Sequence, residues 1–155
     1  MATLRDSLLG DKRSQVVSDT VRLIDREMAG KRGLRAVPLK GGYKVVKGFS
    51  PGFVPKVVDA MLPEFCDALE PFFQTWISKG DSRGSLDSAL RQDEGRVAEG
   101  LLAVADRRVD NANMVGARAI KKVYSKLRGT AKGHVVSALP GLGRTMEPFL
   151  RGAGG

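Results

Sequence analysis

The sequence predicts an all-α protein, a compact helical bundle built from two tandem, pseudo-twofold-related repeats of about 77 residues. Three observations lead there. Apolar residues recur at steps of three and four along most of the chain, the period of a helix with one buried face. No stretch alternates apolar and polar as a half-buried strand does. Finally, Leu62-Pro63 and Glu70-Pro71-Phe72 are echoed by Leu139-Pro140 and Glu147-Pro148-Phe149 at a constant offset of 77. Phe65/Leu142, Leu69/Met146 and Phe73/Leu150 keep apolar character across the same offset. Helical periodicity does not place prolines at matching points, so the recurrence points to duplication. Upstream, Lys44-Val45 pairs with Lys122-Val123 at an offset of 78, and Asp25-Arg26 with Asp106-Arg107 at 81. Residues 11–80 are read as the first repeat and 92–151 as the second, within one domain spanning 1–155.

Taken in order, Thr3 reads as the cap of a short first helix, with Asp6 completing a capping box and Gly10 ending it. Asp11 is placed to cap a second helix to about residue 29, with Val16, Val17, Thr20, Val21, Ile24 and Met28 inward. Residues 30–33 break it. A third helix spans about 34–47, with Pro38 in its first turn, where a missing N–H costs little. Gly41 and Gly42 weaken this helix by about 1 kcal/mol each relative to Ala, which close approach of another helix would offset. Ser50 is read as the cap of a fourth helix with Pro51 at its first position, and Pro63 and Pro71 are expected to break or kink it. Along it Phe65, Leu69, Phe72 and Trp76 form a core stripe.

Residues 80–84 join the halves. Ser85 then caps a short turn of helix, and Asp93 caps a helix to about residue 108. A further helix runs over about 112–127, Gly129-Thr130 restarts the chain, and Pro140 interrupts it. A last helix covers about 144–151, before a glycine-rich tail.

A chain of 155 residues suits one domain with a real core. No segment reads as a signal peptide or a membrane span. Cys66 is the single cysteine, which excludes an internal disulfide and fits a reducing cytoplasm; a buried apolar thiol is the expected state. The net charge of +9 is unevenly distributed. Residues 34–56 carry five basic groups and no acidic one, residues 57–106 four basic and ten acidic, and residues 107–155 ten basic and two acidic.

Few groups here suit catalysis. His134 is the only histidine, so clusters of His ligands and paired His relays are excluded, and one cysteine builds no thiolate cage. No cofactor or metal is expected. Cys66 with His134 lacks an orienting third group, and His134, which matches Lys56 in the repeat, reads as a solvent-facing basic position. Glu70 and Glu147 are the repeated carboxylates. A symmetric cation or acid–base site is weighed against a simpler role, in which each complements the dipole at a kinked helix start. Residues 141–144 lack the Lys-Ser/Thr of a phosphate loop.

The basic residues carry the functional expectation. Arg118, Lys121, Lys122, Lys126 and Arg128 share the outer side of one helix, and Lys40, Lys44 and Lys47 lie on the corresponding helix of the first half. Two such helices form a surface for phosphate backbones that does not read sequence. The expected protein is a non-enzymatic accessory module for nucleic acid or ribonucleoprotein. An acidic protein and an anionic membrane are the other partners considered. A scaffold that pairs with a protein or with itself, through an apolar patch near the Leu-Pro and Glu-Pro-Phe seams, is the alternative. A third reading, an enzyme or small-ligand carrier with a cavity between the halves, requires a polar-lined pocket around Glu70 and Glu147.

Thr3-Leu4-Arg5-Asp6, the run Leu101-Leu102-Ala103-Val104-Ala105-Asp106-Arg107-Arg108, and Tyr124 with Leu127-Arg128 resemble an uncharacterised family of small bacterial helical proteins. The resemblance covers most of the chain and implies a bacterial cytoplasmic protein. It carries over no catalytic residue.

Overall fold

The computed structural model describes residues 3–34, 36–49 and 51–150. Seven α-helices fill them: α1 (Leu4–Leu8), α2 (Arg13–Gly30), α3 (Ala36–Lys47), α4 (Phe53–Ser78), α5 (Leu86–Gln92), α6 (Glu94–Asp110) and α7 (Ala117–Leu150). A single 3-10 turn, Gly80–Ser82, joins α4 to α5, and no strand forms among the described residues.

Local chemistry sets several ends as expected. Thr3 accepts from the Asp6 N–H at 3.1 Å while the Asp6 carboxylate accepts from the Thr3 N–H at 3.0 Å, a complete capping box. Ser85 caps α5 by accepting from the Ser88 N–H. Asp11 does not cap α2, which starts at Arg13 from Lys12 without a side-chain cap, and Asp93 precedes α6 without a side-chain capping bond. Ser50 lies outside the described residues. Pro51 sits in the turn before α4, which begins at Phe53 after Gly52 in the left-handed region (φ 75°).

The prolines are the main correction. Pro63 and Pro71 do not divide α4, and neither Gly129 nor Pro140 divides α7, a helix of 34 residues. A proline inside a helix orphans the carbonyl four residues earlier. For Pro63 that carbonyl belongs to Asp59, and it accepts from Arg13 Nη2 at 2.9 Å, while Arg13 Nε donates to the Asp59 carboxylate at 2.7 Å. Arg108 Nη2 donates to the neighbouring Ala60 carbonyl at 2.8 Å. The Arg13 guanidinium of α2 thus replaces the hydrogen bond that the proline removes, and Arg108 of α6 adds a second donor one carbonyl on.

α2 and α6 each pack against both α4 and α7, so these four helices ring the centre of the molecule. α1 closes one end on α4 and α7, and α5 packs mainly on α7. The core holds Leu4, Leu8, Val16, Leu62, Cys66, Leu69, Phe73, Trp76, Leu86, Val97, Leu139 and Leu150. Phe73 is fully buried, whereas Phe65 and Phe72 of the predicted stripe are half-buried. α7 approaches its neighbours closely. A Cβ on Gly143 would stand 2.5 Å from Asp87 Cα, and one on Gly141 would stand 2.7 Å from Leu23 Cδ1.

Gly143→Ala forces backbone on α5 to move and is expected to destabilise by about 1–3 kcal/mol. Gly133→Ala, on the same helix with open space around it, is expected to stabilise by about 1 kcal/mol. Urea unfolding of the two variants checks both signs.

Candidate functional site

The two lysine-bearing helices meet. α3 packs on the first half of α7, and a Cβ on Gly42 would lie 2.7 Å from Val123 Cγ1 and 3.1 Å from Leu127 Cδ1. Gly42 therefore has the predicted packing reason, while Gly41 faces open space. Phe49, just beyond α3, lies against Gly116, just before α7, so the helices run antiparallel. Leu39, Tyr43 and Val46 face inward from α3, as do Ile120, Val123, Tyr124 and Leu127 from α7. The outer sides expose all of the predicted basic residues: Lys40, Lys44, Lys47, Arg118, Lys121, Lys122, Lys126 and Arg128.

Two of these cations are already committed. Lys47 lies 3.5 Å from Asp25 and over the Tyr43 ring, and Arg128 makes a two-pronged contact to Asp106 at 2.9 and 3.2 Å. Tyr43 donates to Asp25 at 2.7 Å and Tyr124 to Asp106 at 2.5 Å. The Arg128 guanidinium, and after it the Tyr124 hydroxyl, hold the Asp106 carboxyl below its ordinary range. Burial first, then the neighbouring carboxylate, pushes both phenols up. Lys40, Lys44, Arg118, Lys121, Lys122 and Lys126 have no ion pair among the described residues. Residues 28–58 and 111–146 contain no Asp or Glu, so the lobe carries no carboxylate of its own.

The same lobe exposes aliphatic side chains. Leu34 is 90% and Val115 100% accessible, one just before α3 and the other just before α7, and Val37, Val45 and Met114 are also exposed. The Leu-Pro and Glu-Pro-Phe seams present no such patch: Leu62, Leu69, Leu139 and Met146 are core.

Glu70 and Glu147 are each engaged with a backbone N–H. The Leu4 N–H donates to Glu70 at 2.8 Å and the Leu86 N–H donates to Glu147 at 2.7 Å. Each carboxylate thus satisfies a donor at the start of another helix, α1 or α5, rather than at its own. Cys66 is buried, and burial pushes its thiol up to about 11, far from a reactive thiolate. Among the described residues, no group of three or more His, Cys, Asp or Glu side chains is placed to hold a metal ion.

The ring of α2, α4, α6 and α7 flanks a half-open cavity of about 430 Å³, to which Leu8 of α1 and Leu39 of α3 also contribute. Aliphatic side chains dominate its walls, including Ile24, Leu39, Leu101, Leu127, Val135 and Leu142, which are half-buried because they face the void. His134 lines this cavity, correcting its expected solvent-facing position. Thr20, Glu27, Lys31 and Tyr124 are the other polar lining residues besides Cys66. Lys31, read only as part of a break, continues the inward face of α2 one step past Met28, a signal present in the spacing.

Fold and surface together define an all-helical protein with a basic two-helix lobe beside an apolar central cavity. The chain belongs to the family described as a family of unknown function (DUF6918), whose model matches residues 4–150. No curated protein and no solved structure matches it. Among the described residues no helix is long and apolar enough to cross a membrane.

Glu147→Ala leaves the α5 N-terminus without its acceptor and is expected to destabilise by about 1–2 kcal/mol, with Glu147→Gln recovering part of the loss in urea unfolding. Hydrogen bonds from Thr3, the Arg5 guanidinium, the Lys132 ammonium and the Arg128 guanidinium lower the carboxyls of Asp6, Asp67, Glu99 and Asp106 respectively. Lowered on folding, these groups contribute stability that is present above the ordinary carboxyl pKa and lost as pH falls through their folded values. The urea midpoint is therefore expected to fall below about pH 4, and less steeply in Asp106→Asn.

Proposed function

We propose that the α3/α7 lobe is a binding surface for a phosphate-rich partner, nucleic acid first, and that the protein works by this surface rather than by catalysis. One observation carries this reading: α3 and α7 pack antiparallel at Gly42, gathering Lys40, Lys44, Lys121, Lys122 and Lys126 on a lobe without acidic residues. Exposed cations without internal partners are available to displace counterions from a phosphate backbone. Lys47 and Arg128, tied to Asp25 and Asp106, shape the lobe more than they bind.

We also infer that the chain is a tandem duplication with pseudo-twofold symmetry. Asp25, Tyr43 and Lys47 recur as Asp106, Tyr124 and Arg128 at an offset of 81, in the same hydrogen-bonded arrangement. The Glu70–Leu4 contact likewise recurs as Glu147–Leu86. The change in offset from 81 to 77 falls where residues 48–52 separate α3 from α4 while α7 continues without interruption. On this reading Lys40 corresponds to Lys121, the pairing of Lys44-Val45 with Lys122-Val123 is given up, and the repeats take in α1 and α5.

A second partner, an anionic bilayer, is favoured by the exposed Leu34, Val37, Val45, Met114 and Val115 on the same lobe. Lysines around exposed aliphatics suit a lipid interface, and phosphate binding alone has no use for the aliphatics.

Anisotropy titration with mixed-sequence DNA and RNA across a salt series is the test. Binding is expected to weaken with salt, and Lys121→Ala with Lys122→Ala to reduce the log–log slope by about 2. Lys47→Ala should change the slope little. No binding at low salt overturns the nucleic-acid reading. Retention on phosphatidylserine vesicles, lost in Leu34→Asp with Val115→Asp, would then make the bilayer the partner.

A further inference from the structure

The central cavity has no part in phosphate binding, and its chemistry is of another kind. We propose that it is a binding site for one long-chain aliphatic carboxylate, its tail among the aliphatic walls and its carboxylate at Lys31.

Size and wall chemistry come first. About 430 Å³ lies within the range of small-molecule sites, roughly 300–1,000 Å³, which are mainly apolar with a few placed polar groups. The walls are mostly branched or flexible aliphatic side chains, with Phe65, Tyr124 and His134 the ring-bearing ones. A chain that rotates about single bonds fits such an irregular space better than a rigid planar molecule, which needs a flat slot. The side chains facing the void are held apart by the ring of helices, so an apolar tail gains contacts that water cannot supply.

The head group follows from charge. Lys31 lines the cavity half-buried, and its ammonium donates to Ser137 Oγ. Unlike Arg5, Arg13, Arg108 and Arg128, it has no carboxylate partner among the described residues. A partly desolvated ammonium with only a hydroxyl partner retains its strongest interaction for an incoming carboxylate. Glu27, the lining carboxylate, is directed at α7, where a Cβ on Gly141 would lie 2.8 Å from its Oε1. The net charge of +9 also favours an anionic over a cationic amphiphile.

The test uses the full chain and cis-parinarate, a long-chain polyene carboxylate that fluoresces on leaving water. Saturable binding of one molecule per chain is expected, displaced by oleate and not by benzoate. Ala138→Phe, which projects into the cavity from α7, should weaken binding at least about tenfold while Tm is unchanged or raised, because the void is filled. Lys31→Met should weaken carboxylate binding about tenfold and leave the affinity for oleyl alcohol unchanged. Absence of saturable binding, or undiminished binding in a folded Ala138→Phe, overturns the proposal. Should that variant not fold, Lys31→Met decides: equal losses for acid and alcohol, or none for either, overturn it. The proposal stands or falls independently of nucleic-acid or vesicle binding by the basic lobe.

Discussion

The approach distance of α7 is the constraint on which the rest of the structure depends. Side chains are absent at three of its crossings, Gly143 on α5, Gly141 on Leu23 of α2, and Gly42 of α3 on Val123 and Leu127. α7 has two further interior glycines, the exposed Gly129 and Gly133, and would otherwise be a poor helix, since each glycine costs about 1 kcal/mol relative to Ala. Gly141 and Gly143 offset that cost by admitting the Leu23 side chain of α2 and the α5 backbone at Asp87, in a stretch where Leu139, Met146 and Leu150 are buried. α7 thereby spans roughly 50 Å as one piece, at 1.5 Å per residue, and serves as a wall shared by the core, the cavity and the basic lobe.

Arginines carry the complementary part of the framework. Arg5, Arg13 and Arg108 all reach α4, meeting Asp67, Asp59 and Glu64. As surface ion pairs these contribute little individually. Two of the three also serve backbone carbonyls near Pro63, and at Asp59 the alternative is an orphaned acceptor in a helix. The prolines and the arginines are best understood together, as sites where α4 gives up its own hydrogen bonding and receives it from α2 and α6.

The cavity and the basic lobe share residues. Leu39 of α3 and Tyr124 and Leu127 of α7 line the void from the helices whose other sides carry the lysines. Tyr124 also donates to Asp106, which holds Arg128. An occupant pressing on this wall and a partner seated on the lobe would therefore act on the same two helices. The lobe is joined to the rest of the protein through Gly42, Phe49 and the Asp25 and Asp106 clusters rather than through the densest part of the core.

Much of this was legible in the residues. Apolar periodicity located the helices, Thr3 with Asp6 and Ser85 marked two starts, and the isolated Cys66 was placed in the core, because these signals act within one turn or on one face. The lysines were identified as exposed, since the apolar faces of α3 and α7 were already assigned inward. Other features were beyond the sequence. Pro63 looked like a break because the compensating donor, Arg13, lies 46 residues from Asp59. Glu70 and Glu147 looked like a pair, although each answers an N–H more than 60 residues away. The cavity and the turning of Lys31 and His134 towards it depend on how far apart four helices stand, which no local pattern encodes. The sequence by itself determined which residues are helical and which helix faces are apolar or basic, since short-range sterics and hydrogen bonding decide these. Only the tertiary structure decided where helices continue through prolines, which carboxylate meets which N–H, and where the core stays open, because those depend on groups brought together from distant parts of the chain.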